Sequence, residues 1–152
     1  MKESTFKTII ENVPLVSIDL CLVNRGRILL GNRNNDPLKH QWFTPGGRIF
    51  KNEPWHISLA RIAKSELDLN VKIERFRSMG IWDHFYSNNA IDDNVSTHYV
   101  NLPHYAIYDQ KPDVKPDNQH NKLDWFSLEE VSENDAFHKY IRIYAKWLIK
   151  LE

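Results

Sequence analysis

The residues of this chain that could do chemistry concentrate between Gly47 and Leu69, GRIFKNEPWHISLARIAKSELDL. Within that stretch Gly47, Glu53, Arg61 and Glu66 fall on a loop that runs into a helix. Glu66 shares its side of the helix with Trp55, Leu59 and Ile62, so an unpaired, solvated role for its carboxylate is unattractive. Arg61 is spaced to brace Glu53, and Gly46-Gly47 behind Pro45, elsewhere most often only a turn, is read with the segment beyond it as functional. Elsewhere, Asp19 stands inside the apolar run LVSIDLCLV, where a carboxylate needs either a buried Arg or a functional partner. His120 is one of seven histidines, in a polar segment; an imidazole there titrates near neutral pH and can move a proton.

The elements that must position these groups follow from patterning. Ser4 is expected to cap a short helix over Thr5 to Asn12, with Phe6, Ile9 and Ile10 as its apolar side, ended by Pro14. Leu15 to Val23 and Arg27 to Gly31 read as paired strands around an Asn24-Arg25-Gly26 turn, and Asn32 to Gln41 as a loop. Trp42 to Thr44 is a short strand. Pro54 to Leu67 is a helix capped by Asn52 or Glu53, with proline in the first turn. Val71 to Tyr86 and Thr97 to Asp109, rich in aromatic and β-branched residues, read as two long strands separated by the polar loop Ser87 to Ser96. Lys111 to Lys122 reads as a mobile loop and Leu123 to Phe126 as a strand. Ser127 to Glu130 has capping-box spacing, and Phe137, Ile141, Tyr144, Ala145 and Leu148 mark an amphipathic C-terminal helix. Its basic residues (Lys139, Arg142, Lys146, Lys150) form a solvated face, and Tyr105, Tyr108 and Trp125 belong to the core. The order predicts an α/β architecture with a mixed sheet between helices.

Composition narrows the class. At 152 residues, 41% hydrophobic and 12% aromatic, the chain fits a single globular domain over 1–152. Twenty basic residues against twenty acidic ones leave no cationic excess to coat a nucleic acid. One cysteine, Cys21, allows no intrachain disulfide, and no apolar run is long enough to span a membrane, so a cytoplasmic protein is expected.

The Gly47–Leu69 segment resembles the Nudix box, GX5EX7REUXEEXGU with U a bulky apolar residue; Gly47, Glu53, Arg61, Glu66 and Leu69 match. Ile62 and Ser65 replace two of its helix glutamates, and Asp68 replaces its late glycine. In the ordinary box a carboxylate cluster holds several divalent cations that activate water against phosphorus. Here one helix carboxylate remains, enough for a single cation, and the base must come from elsewhere. The loss of those two glutamates is shared by a divergent Nudix branch, the GDP-mannose mannosyl hydrolases, which the chain resembles over nearly its whole length, although Asp68 departs from the glycine usual there too. The similar blocks run Pro14–Asp19, Leu29–Arg33, Trp42–Arg48, Trp82–Tyr86, Thr97–Tyr99 and Pro116–His120.

That resemblance implies the Nudix fold, an α/β/α sandwich, and hydrolysis of GDP-mannose or GDP-glucose to GDP and free sugar, by water attack at the anomeric carbon with inversion. It implies one Mg²⁺ (Mn²⁺ as an alternative) held by the Gly46 carbonyl, Glu66 and Gln119, with His120 as general base. Arg33, Arg48 and Tyr99 would stabilise the departing GDP. Asp19 and His84 would contact the sugar, Asp19 counting also among the catalytic groups, and Phe6 the guanine, in a homodimer. Two other readings stay open: ordinary Nudix attack at phosphorus, and a sugar-nucleotide sensor without turnover.

Overall fold

A computed structural model describes residues 1–34, 40–87, 95–117 and 120–151. The chain runs α1 (Glu3–Asn12), β1 (Leu15–Asn24), β2 (Arg27–Arg33), β3 (Trp42–Phe43), β4 (Gly46–Arg48), α2 (Trp55–Leu67), a 3₁₀ turn (Ile73–Arg75), β5 (Arg77–Ser78), β6 (Trp82–Tyr86), β7 (Thr97–Asn101), β8 (His104–Tyr108), β9 (His120–Ser127), α3 (Leu128–Glu133) and α4 (Lys139–Ile149).

β1 is the spine, and its ten residues explain the layers. Ile18, Leu20 and Leu22 pack with Leu59, Ile62, Ala63 and Leu67 of α2. Cys21 and Val23, on the opposite pleat, pack with Ile141, Tyr144, Ala145 and Leu148 of α4. A strand buried on both faces reads as a continuous apolar run rather than an alternating one. The period of two therefore turns Asp19 to the α4 side.

The sheet is mixed. β1 pairs antiparallel with β2 and β4 and parallel with β7 and β8; β2 also pairs with β3 and β9, β6 with β7, and β5 with β8. The β1–β2 connection is a two-residue turn with positive φ at Arg25 (47°) and Gly26 (75°), the twist that suits a hairpin. Asn24 secures it by donating to the Tyr108 and Asp109 carbonyls at 2.9 and 3.1 Å.

Several sequence expectations change. Ser4 lies inside α1, whose N-cap Lys2 makes no side-chain cap bond. Neither Asn52 nor Glu53 caps α2; Pro54 holds that position, and Glu53 is engaged by Arg61 instead. Gly46-Gly47 is a strand paired with β1 rather than a turn. The two long strands are each broken: the first by the 3₁₀ turn and by Gly80 at φ 98°, the second at Pro103, beyond which β1 exchanges β7 for β8 as its parallel neighbour. β2 continues to Arg33, and β9 begins at His120, so the loop read over Lys111 to Lys122 ends earlier. Tyr105, Tyr108 and Trp125 are half-buried at the rim of the core. Ser127 does cap α3, accepting from the Glu130 amide at 3.4 Å. Among the described residues no helix is long and apolar enough to cross a membrane.

Candidate active site

The site is built around the glycine pair in β4. Gly46 opposes Asp19 and Gly47 opposes Ile18, so the two glycines face opposite sides of the sheet. A Cβ on Gly46 would collide with Asp19 Oδ1 and lie 2.7 Å from the Ile18 carbonyl oxygen; one on Gly47 would meet Ile62 of α2 at 3.2 Å. The short β4 thus lets β1 approach on one side and α2 on the other, a spacing a larger residue would open.

On the α2 side, the box residues brace one another. Arg61 donates through Nε to Glu53 Oε2 (2.8 Å) and through Nη2 to Glu53 Oε1 (2.9 Å) and the Arg48 carbonyl (2.7 Å). The Ser58 hydroxyl and the Phe50 amide complete the cradle around Glu53, and the Arg61 guanidinium lies 3.8 Å over the Phe50 ring. The Arg61 and Ser58 hydrogen bonds hold the Glu53 carboxyl down at about 2. Arg61 therefore ties the start of α2 to the end of β4.

One turn further, Glu66 is only 4% exposed, and its Oε2 has no hydrogen-bond partner among the described residues. A buried carboxylate oxygen without a donor is costly unless a cation meets it, so Glu66 could ligate one hard divalent ion. Ile62, wholly in the core, gives such an ion nothing. Asp68, where the box has glycine, takes the left-handed conformation (φ 52°, ψ 37°) that ends α2, its amide returning to the Lys64 carbonyl at 3.0 Å and its side chain pairing with Lys64 Nζ at 2.6 Å. The departure preserves the helix end.

The α4 side of the sheet carries the other polar groups. Asp19 is 5% exposed and accepts from the Tyr144 hydroxyl at 2.8 Å; that hydroxyl lies 3.2 Å from His84 Nε2. Burial raises the Asp19 carboxyl from 3.8 to about 7, against the opposing pull of hydrogen bonds from Tyr144 and Asn101 and the Arg33 charge. His84 is driven down to about 4, by desolvation first and the charge of His138 next, so it is a neutral imidazole at pH 7. Tyr99 is held above the ordinary phenol range by burial, while Arg48 and Arg33 pull the other way and Asp19 adds to the rise. Those couplings place Asp19, Arg33, Arg48 and Tyr99 in one electrostatic neighbourhood. Arg48 in turn lies 4.7 Å over the Phe6 ring of α1. Arg33 Nε and Thr44 Oγ1 are buried without partners among the described residues, as is Asn101 Oδ1, whose amide donates to Ser17 Oγ at 3.0 Å.

Of the residues named from sequence, Asp19, His84, Arg33, Arg48, Tyr99, Gly46 and Phe6 are thus brought around the α4 face and its β4 rim. Glu66 stands on α2, across the glycine pair. The backbone of His120 opposes Arg33 in the β2–β9 ladder, where a loop was expected. Gln119 lies outside the described residues. Helical periodicity makes Tyr144 a core residue, and local pattern gives Tyr140, Asn101 and Thr44 no part in a site. A signal existed: a tyrosine at the centre of an apolar helical stripe and an aspartate inside an apolar strand each need a polar partner.

Residues 13–148 match the NUDIX domain. The chain is 34% identical over 142 residues to the low-salt glycan biosynthesis protein Agl8 of Haloferax volcanii, covering 93% of this chain and 86% of that one. Among solved structures it is similar to a MutT NUDIX hydrolase from Burkholderia pseudomallei (TM-score 0.72, 24% identity, 89% of this chain and 98% of that). It is similar also to the NUDIX domain of Shewanella oneidensis NrtR, complexed with ADP ribose (TM-score 0.65, 15% identity, all of both chains). With its glycine pair, the Glu53–Arg61 brace and a domain match that spans nearly the whole length, this chain belongs to the Nudix family of hydrolases.

Proposed function

We propose that this chain hydrolyses a GDP-hexose, GDP-mannose foremost and GDP-glucose next, to GDP and free sugar by attack of water at the anomeric carbon. The observation that carries the reading is the reduction of the α2 carboxylate cluster to one buried acid, whose Oε2 has no hydrogen-bond partner among the described residues: Ile62 and Ser65 stand where the family pattern has glutamates, and Glu66 alone remains. A helix that cannot assemble several cations is poorly equipped to generate a nucleophile against phosphorus. The relative named for glycan biosynthesis supports a sugar-nucleotide substrate.

Glu66, the Gly46 carbonyl and Gln119 would hold one Mg²⁺, with Mn²⁺ as an alternative. When bound, the ion neutralises charge on the diphosphate leaving group. Arg33, Arg48 and Tyr99 bind that diphosphate, adding charge-assisted hydrogen bonds that strengthen as the glycosyl oxygen takes up electrons. Phe6, already stacked against Arg48, receives the guanine. Asp19 and His84 orient the hexose. His120 takes the proton of the attacking water as its oxygen bonds to the anomeric carbon and the bond to the β-phosphate oxygen breaks, so the sugar inverts. The working unit is a cytoplasmic homodimer.

Incubation of a panel of GDP-hexoses with the protein and Mg²⁺, with products separated by anion exchange, tests the reading. GDP and free hexose are expected. GMP with hexose 1-phosphate would replace it by ordinary Nudix chemistry, and binding without any product by a sensor.

A further inference from the structure

The C-terminal helix sends two tyrosines, one turn apart, into the polar face of the sheet. Tyr140 clasps β6: its hydroxyl accepts from the Phe85 amide at 2.7 Å and donates to the Phe85 carbonyl at 3.2 Å. Its ring lies flat on the His84 imidazole, with centroids 3.9 Å apart and planes at 7°. Tyr144, with no exposed surface, donates to Asp19 Oδ2 at 2.8 Å and stands 3.2 Å from His84 Nε2.

A phenol carries one proton. Once Tyr144 has given it to Asp19, its oxygen can meet His84 Nε2 only as an acceptor. His84 must then carry its proton on Nε2, which leaves Nδ1 as an acceptor. Asp19 is held likewise: Tyr144 donates to one lone pair of Oδ2, Asn101 adds a second hydrogen bond to the carboxylate, and Oδ1 lies toward Gly46, so acceptor capacity remains. The Tyr144 ring also packs edge-on against Trp82 at 5.9 Å, a contact a phenylalanine would keep. Only the two polar partners call for the hydroxyl.

We propose that Tyr140 and Tyr144 of α4 are positioning residues that lock the ring plane and tautomer of His84 and the rotamer of Asp19, so that both present acceptors to the hexose hydroxyls. The inference rests on the hexose reading above, but its central element, the hydrogen-bond relay from His84 through Tyr144 to Asp19, can be tested without substrate.

The test is long-range ¹H–¹⁵N correlation on ¹⁵N-histidine-labelled protein, with His84 assigned by the signal that disappears in His84→Gln. Wild type should show neutral His84 with the proton on Nε2, and Tyr144→Phe should move it toward the Nδ1–H form or a mixture. In the same variant kcat on the GDP-hexose should fall about 10- to 100-fold, the cost of stripping a hydrogen bond from a buried carboxylate. Inhibition by GDP, which sits at the diphosphate end, should change by no more than about twofold. A role confined to packing would lower the folded fraction and leave the tautomer as it was. An Nδ1–H tautomer in wild type, an unchanged His84 spectrum in Tyr144→Phe, or unaltered kcat would each overturn the proposal. Should Tyr144→Phe fail to fold, the wild-type tautomer decides alone. A wild type that cleaves no GDP-hexose would overturn the functional reading, leaving the relay itself to be decided by the spectrum.

Discussion

Replacing Asp19 by asparagine removes a buried charge while keeping its shape, and the consequence for stability depends on pH in a way that can be worked out. The carboxyl is desolvated between β1 and α4, and its pKa rises from 3.8 to about 7. The folded protein therefore holds this proton more tightly than the unfolded chain does. The stability this confers is complete below pH 3.8 and is lost as pH rises through 7. At about 1.36 kcal/mol per unit, the cost of Asp19 to the fold relative to its protonated form is about 1.7 kcal/mol at pH 5 and about 4 kcal/mol at pH 8. Asparagine does not titrate, so between those pH values the stability difference should move by about 2.5 kcal/mol in favour of Asp19→Asn. Urea denaturation of both proteins in EDTA, at each pH, measures it, and titrations common to both cancel. The variant should lose hexose hydrolysis even where it is the more stable protein. A stability difference that is the same at both pH values, or that moves toward wild type as pH rises, would show that Asp19 is held as a satisfied anion, and the electrostatic account of this face would be wrong.

Glu66→Gln should abolish the rise in melting temperature that Mg²⁺ gives the wild type, because the buried oxygen facing the ion loses its charge; an undiminished shift in differential scanning fluorimetry would move the ion elsewhere. Arg61→Lys should lower kcat/KM about 10²-fold, since an ammonium cannot reproduce the three guanidinium bonds that link Glu53 to the Arg48 carbonyl; near-normal steady-state rates would argue against that brace. Asp68→Gly should raise the melting temperature by about 2–4 °C by relieving the left-handed conformation at the end of α2, and a fall would mean that the Lys64 ion pair outweighs it.

Much of the fold is legible because burial leaves a direct trace in residue type. The apolar run of β1 marks a strand covered on both faces, and the stripe through Ile141, Ala145 and Leu148 marks the helix that covers one of them, although Phe137 at the head of that stripe lies just before it. What escapes local reading is set by partners distant in sequence. Gly46-Gly47 has the residues of a turn, and only pairing with β1 makes it a strand. Glu53 has the position of a cap, but Arg61, eight residues further on, claims it. Strand-forming residues across 71–86 and 97–109 conceal breaks imposed by Gly80 and by the switch of partners at Pro103. Within the site, Arg33, Tyr99 and His84 lie around Asp19, whereas Tyr144 has helical periodicity and reads as core until the aspartate beneath it is seen.

The central claim is that the cut falls on the glycosyl bond, and hydrolysis of GDP-mannose in ¹⁸O-water tests it most directly. Mass spectrometry should find the label in the free hexose and none in the phosphates of GDP. Label in a phosphate would place the attack on phosphorus and contradict the account.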